Sequence, residues 1–230
     1  MKRIFPRTKG NLSIADSYYK NWVKVTVRVR AMPLSRPLVK GMVVYGCLKE
    51  HPDFALSVLL GFVLLLRCSE ILGLRCGHFT LLNDSLMSVN LPKTKNSTRT
   101  GVPETVLLKD PYLIKLIGVK QGKGEDYIFS GSEFDFRSMY REAMHFFETG
   151  HERPTPHGLR RGGATWHFSK LGSYDKTMEH GRWSQLRTAK LYIDGASSAL
   201  AMHKLSPKGK ARLEKAQKLF RPLLERRFKG

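Results

Sequence analysis

Acidic residues are scarce in this chain. It has 19 Asp and Glu against 40 Lys and Arg, a formal net charge of +21 over 230 residues. That imbalance points to a polyanionic partner, with nucleic acid the first candidate. An anionic membrane surface is the weaker alternative, because no strongly amphipathic basic helix dominates. Cysteine is scarcer still. Cys47, Cys68 and Cys76 are odd in number and lack framework spacing, which argues against a disulfide scaffold and for a reducing compartment. Cys76-Gly-His78 supplies two ligand types without a partner pair, so no metal site is assigned. The longest apolar run, Phe54 to Leu66, is too short to span a bilayer and ends at Arg67. The basic start, Met-Lys-Arg-Ile-Phe-Pro-Arg, is not followed by the apolar stretch of a signal peptide. Gln121-Gly-Lys-Gly lacks the Gly-Lys-Ser/Thr context of a phosphate loop. No internal repeat or low-complexity tract is visible.

What is present is enough apolar material for a core: 41% of residues are hydrophobic. The length suits one ordinary domain with an appendage, or two small domains. Tyr18, Tyr19, Trp22 and Val23 fit one face of an N-terminal helix capped at Ser13 or Asp16. A helix is expected from Leu38 to about Glu50. His51-Pro-Asp53 breaks it, and Asp53 suits the cap of a second, almost wholly apolar helix from Phe54 to about Glu70. Short strands follow at 79–82, 86–91 and 100–108. The last two flank a basic tip that carries Lys93, Lys95 and Arg99. Helices are then expected near 110–119, 133–148, 157–171, from Tyr174, over 183–192, and over 206–228 with Pro207 in the first turn. The class is mixed, mainly α with a small antiparallel three-stranded sheet.

The chemistry concentrates between residues 154 and 192. His157 and Arg160 are three apart after a Pro, so a helix places both on one face. Trp183 and Tyr192 are about two and a half helical turns apart. A Tyr can act as a covalent nucleophile, and Arg clamps phosphate oxygens with two parallel donors. Singly, each has an ordinary reading: His-x-x-Arg as a solvated face, Tyr192 as a packing residue, Arg67 at a helix end paired with Glu70. An Arg straight after an apolar run is costly to bury unless a carboxylate such as Glu70 partners it.

Taken in order, the parts resemble the catalytic domain of the tyrosine recombinases, the phage integrase family. Arg67-Cys-Ser-Glu70-Ile-Leu-Gly-Leu looks like the family's first arginine box. Pro156-His157-Gly-Leu-Arg160-Arg-Gly-Gly-Ala-Thr looks like its second. Gly181-Arg182-Trp183 stands where many members have Leu-Gly-His, and Leu191-Tyr192 falls at the usual distance. The resemblance covers about residues 33–200, and the pairing of Gly181-Arg182-Trp183 with Arg161-Gly-Gly-Ala-Thr165 is similar to recombinase-like reading frames of eukaryotic mobile elements.

The resemblance implies a DNA breaking-rejoining catalytic-domain fold. It implies Arg67, Lys95, His157, Arg160, Trp183 and Tyr192 as the catalytic set, with Lys93 as runner-up lysine. Glu70 is the supporting residue, and Lys93, Arg99, Arg161 and Arg182 are expected on DNA. Residues 1–32 read as a linker or the remnant of a core-binding domain, 33–200 as the catalytic domain, and 201–230 as a basic helical extension. The implied partner is double-stranded DNA, with four copies at synapsis and no membrane. No cofactor or metal is implied, and the site is intracellular: nuclear in a eukaryote, cytoplasmic otherwise. Alternatives are DNA relaxation by the same chemistry, as in type IB topoisomerases, or an inactive DNA-binding remnant. A basic RNA-binding protein would explain the charge but not the ordered boxes.

Overall fold

The computed structural model describes residues 13–25, 31–91, 101–119, 123–150 and 154–228. The chain divides into two compact units, residues 1–30 and 31–230. In the first, α1 (Ser13–Val25) begins at the expected Ser13 and carries Asp16 in its first turn. Ile14, Tyr18, Tyr19 and Trp22 are exposed along it.

The second unit is built on two helices that pack face to face, α2 (Arg36–Leu48) and α3 (Pro52–Val63). Ser35 caps α2, its Oγ accepting from the Leu38 N–H, and a Pro fills the first turn. Asp53, expected as the cap of α3, lies inside its first turn instead. Its carboxylate accepts from Ser130, and His51 holds the cap position. Helix α3 is buried on nearly every side, as its unbroken apolar run requires.

The expected continuation of α3 to Glu70 is broken. The chain turns at Leu64–Leu66, with Leu65 in the left-handed region (φ 51), and restarts as α4 (Cys68–Gly73) with Arg67 at the N-cap. A branched residue in that conformation costs about 1–2 kcal/mol, so tertiary contacts must hold it there. They are guanidinium and imidazole groups bonded to the freed carbonyls, described below.

A short 3-10 turn (Cys76–His78) leads to an antiparallel sheet of β1 (Phe79–Asn83), β2 (Leu86–Asn90) and β3 (Thr105–Leu108) in that order. Met87 pairs with Leu108 and Val89 with Val106, and all four are buried on the inner face. Strand β3 is shorter than expected; residues 101–104 lie outside the ladder. Helices α5 (Pro111–Val119) and α6 (Glu133–Phe146) follow. Ser132 and Asp135 form a reciprocal cap on α6.

The remaining helices are α7 (His157–Leu171), α8 (Tyr174–Gly181), α9 (Leu186–Tyr192), α10 (Gly195–His203) and α11 (Pro207–Arg227). Helix α7 packs on α3. The Gly162-Gly163 pair allows this, since a Cβ at Gly162 would strike the Leu34 carbonyl and one at Gly163 the Phe62 carbonyl. Helix α11 lays Leu213, Ala216, Phe220 and Leu224 against α2 of the same chain. Among the described residues no helix is long and apolar enough to cross a membrane, and no cluster of three or more potential metal ligands occurs.

Candidate active site

The break after α3 organises the site. A helix that ends leaves carbonyls without intrahelical partners, and here three of them face cationic or imidazole donors. Val63 O meets His180 Nε2 at 2.7 Å, Leu64 O accepts from Arg182 Nη1 at 3.4 Å, and Leu65 O accepts from Arg160 Nη1. The same turn delivers Arg67. Its backbone N–H donates to Glu70 Oε2 at 2.9 Å, and its Nη1 pairs with Glu70 Oε1. Arg67 keeps 29% of its side chain exposed, whereas Glu70 is 1% exposed.

Glu70 is the hub. Besides Arg67, its Oε2 accepts from Arg182 Nη2 at 2.7 Å and lies 3.9 Å from Arg160 Nη1. A carboxylate this deeply buried is tolerable only when paired. Burial pushes its pKa up, but Arg182, the Arg67 N–H, and the Arg67 and Arg160 charges together hold it below the ordinary value. Three guanidiniums against one shared carboxylate leave a local excess of positive charge.

Arg160 comes from the first turn of α7 and is fully buried. Its Nη2 donates to the Gly181 carbonyl at 2.7 Å. The guanidinium lies beneath two rings, 5.0 Å from the centroid of Trp183 and 5.5 Å from that of Tyr192. Its Nε is buried and finds no hydrogen-bond partner among the described residues. Burial, then Arg182 and Arg67, lower its pKa.

Trp183 lies not on a helix, as expected, but in the turn between α8 and α9, after Arg182 in the left-handed region (φ 56). The indole covers Gly181, where any Cβ would collide with it. It stacks on Tyr192 at the last position of α9, centroids 4.7 Å apart and planes 30° apart. His157 opens α7 and meets the Tyr192 ring edge-on at 5.3 Å. Although His157 is exposed overall, its ring is partly desolvated. That desolvation first, then Arg160, Arg161 and Arg67, lower its pKa and favour the neutral form.

Arg67, Glu70, His157, Arg160, Trp183 and Tyr192 thus form one continuous cluster, drawn from three helices and two turns. Lys93, Lys95 and Arg99 lie outside the described residues. Two expectations need correction. Arg161 and Arg182, expected on DNA, are turned into the protein. Arg161 donates to the Ala31 carbonyl and pairs with Asp194 at 3.1 Å. Arg182 is spent on Glu70 and Leu64. Each is held by carbonyls and carboxylates that the fold, not local sequence, brings close.

Sequence reasoning missed Thr165 and Asp194. Thr165 Oγ1 lies 3.4 Å from the Tyr192 carbonyl and accepts from the Asp194 N–H at 2.9 Å. With Arg161 Nη2 bonded to the Leu191 carbonyl at 3.4 Å, these residues fix the end of α9 that bears Tyr192. The available signal was the four-residue spacing of Arg161 and Thr165, which puts both on one face of α7, and an Asp two residues past Tyr192.

No protein-family model matches the chain, and no curated protein matches it. Solved structures do. The chain resembles the XerH site-specific recombinase in a pre-cleavage complex with difH substrate, at 16% identity and a TM-score of 0.55 over 77% of this chain. It also resembles XerH in a post-cleavage complex with palindromic difH, at 17% identity and a TM-score of 0.55 over 83% of this chain. XerA recombinase matches over 88% of this chain and 77% of its own length, at 17% identity and a TM-score of 0.55. The chain spans about half the length of the two XerH chains, 55% and 53%. The class defined is therefore one of fold: the architecture is that of a tyrosine recombinase catalytic domain.

Proposed function

We propose that this chain cuts and rejoins double-stranded DNA by transesterification at Tyr192, as a site-specific recombinase. The observation that carries this reading is Arg160. Its guanidinium lies against the Tyr192 and Trp183 rings and is only distantly paired with Glu70, at 3.9 Å, so a cation excess stands beside the candidate nucleophile.

The Tyr192 hydroxyl oxygen attacks a backbone phosphorus in line, and neutral His157 takes its proton. A Tyr–phosphorus bond forms at the 3′ end and the bond to the 5′ oxygen breaks. Arg67 and Arg160 meet the charge that builds on the non-bridging oxygens, with the Trp183 indole N–H as a further donor. The leaving 5′ oxygen takes a proton from Lys95, or from Lys93. One phosphoester replaces another, so resealing needs neither ATP nor metal chemistry. Four copies acting on two duplexes is the assembly this reading implies.

The test is a nicked duplex from which the cleaved fragment diffuses away. Wild type should accumulate a covalent protein–DNA adduct, and Tyr192→Phe should form none. A chain that forms no adduct on any of several candidate duplexes contradicts the reading. Recombinant products distinguish strand exchange from simple relaxation of supercoils.

A further inference from the structure

Arg182 has no place in the transesterification steps, yet it is held at a cost. It follows α8 with φ 56, a conformation that suits Gly and that few side-chain-bearing residues adopt. Its guanidinium is almost wholly buried and makes three ties. Nη2 donates to Glu70 Oε2 at 2.7 Å, Nη1 to the Leu64 carbonyl at 3.4 Å, and Nε faces Glu104 Oε2 at 3.6 Å. The first two partners belong to the turn and helix that present Arg67. The third lies just before β3, at the loop end of its pairing with β2, where the Glu104 carbonyl accepts from the Leu91 N–H at 2.8 Å. Arg182 also precedes Trp183 directly.

We propose that Arg182 is a positioning residue. It clasps the loop end of the β2–β3 hairpin to Glu70 and limits how much of that carboxylate is left for Arg67 and Arg160. The second effect follows from geometry. Glu70 Oε2 now accepts its shortest hydrogen bond from Arg182 and stands 3.9 Å from Arg160 Nη1. Without Arg182, that oxygen is under-coordinated and draws Arg160 into a close ion pair, away from the Leu65 carbonyl and from its place under Tyr192. The consequence for cleavage rests on the strand-transfer reading above; the clasp itself does not.

Two measurements on the full chain test this with Arg182→Gly, Arg182→Lys and Glu104→Gln. The first is amide hydrogen exchange without DNA. Arg182→Gly should speed exchange about tenfold or more at Leu91 and along β3 while amides within α2 keep their rates. Arg182→Lys should fall between Arg182→Gly and wild type, and Glu104→Gln should reproduce part of the effect. The second is the cleavage rate at saturating nicked duplex. Arg182→Gly should slow it about tenfold or more without weakening DNA binding, and Glu104→Gln should add nothing to Arg182→Gly. A residue that merely fills space gives the opposite pattern, since Gly relaxes the left-handed backbone. Hairpin exchange unchanged in both Arg182→Gly and Glu104→Gln overturns the proposal. If Arg182→Gly does not fold, Arg182→Lys and Glu104→Gln decide the exchange question. If wild type forms no adduct, the functional reading fails, and the exchange arm still decides the clasp.

Discussion

The Trp183 and Tyr192 rings stack at 4.7 Å, and both lie over the Arg160 guanidinium. The candidate nucleophile therefore packs against Trp183 on one side and meets His157 edge-on, over the cation proposed to receive the phosphate. Trp183→Ala removes both the stack and a largely buried ring. It should cost about 3–5 kcal/mol of folding free energy, read by urea denaturation. In single turnovers Tyr192 should also react more slowly. Trp183→Phe should recover most of the stability.

Glu70 balances three guanidiniums, so Glu70→Gln should destabilise the fold by about 3–5 kcal/mol, the usual cost of leaving buried charge uncompensated. Its pKa lies below the ordinary 4.5. The stabilisation it supplies is thus complete above that value and is lost as pH falls through the lower, folded value. Denaturant midpoints measured from neutral to acid pH should show this loss in wild type. The component should be missing in Glu70→Gln.

On the proposed mechanism His157 should set the acid limb of cleavage. Its pKa lies below the ordinary 6.5, with desolvation the largest cause and the neighbouring arginines next. It is therefore neutral and able to accept a proton at neutral pH. Cleavage should stay level down to about pH 6.5 and decline only below it. His157→Gln should lower the plateau and abolish that decline. The same shift makes a small contribution to stability that is full above 6.5 and lost on further acidification.

Gly163 abuts the Phe62 carbonyl with no room for a Cβ. Gly163→Ala should force α7 off α3, costing about 1–3 kcal/mol or more by overpacking, and should displace Arg160 with it. Gly195→Ala is the control. Nothing lies near its added methyl, so its denaturation midpoint should stay level or rise slightly.

The clustering of the candidate site was legible because the motifs of the family it resembles name particular residues at particular spacings. Arg67, Glu70, His157, Arg160, Trp183 and Tyr192 were all read from their boxes, and the structure gathers them. The sheet and most helices followed from apolar periodicity. The break at Leu64–Leu66 did not, because a Leu triplet is a good helix former and the groups bonded to its carbonyls, Arg160, Arg182 and His180, come from distant segments. Arg161 and Arg182 were misplaced for the same reason. Charge within a basic motif suggests a DNA face, while the carbonyls and carboxylates that claim it come from distant segments. Helix α10 also went unread, although Asp194 caps it by accepting from the Ser197 N–H at 3.0 Å.

The most direct test of the central claim is to identify the linked residue. Wild-type protein is trapped on a nicked duplex, digested, and the nucleotide-bearing peptide sequenced by mass spectrometry. The expected result is a phosphodiester on Tyr192 at the end of Leu186–Tyr192, absent from Tyr192→Phe. An adduct mapped to another residue, or one that persists in Tyr192→Phe, contradicts the account.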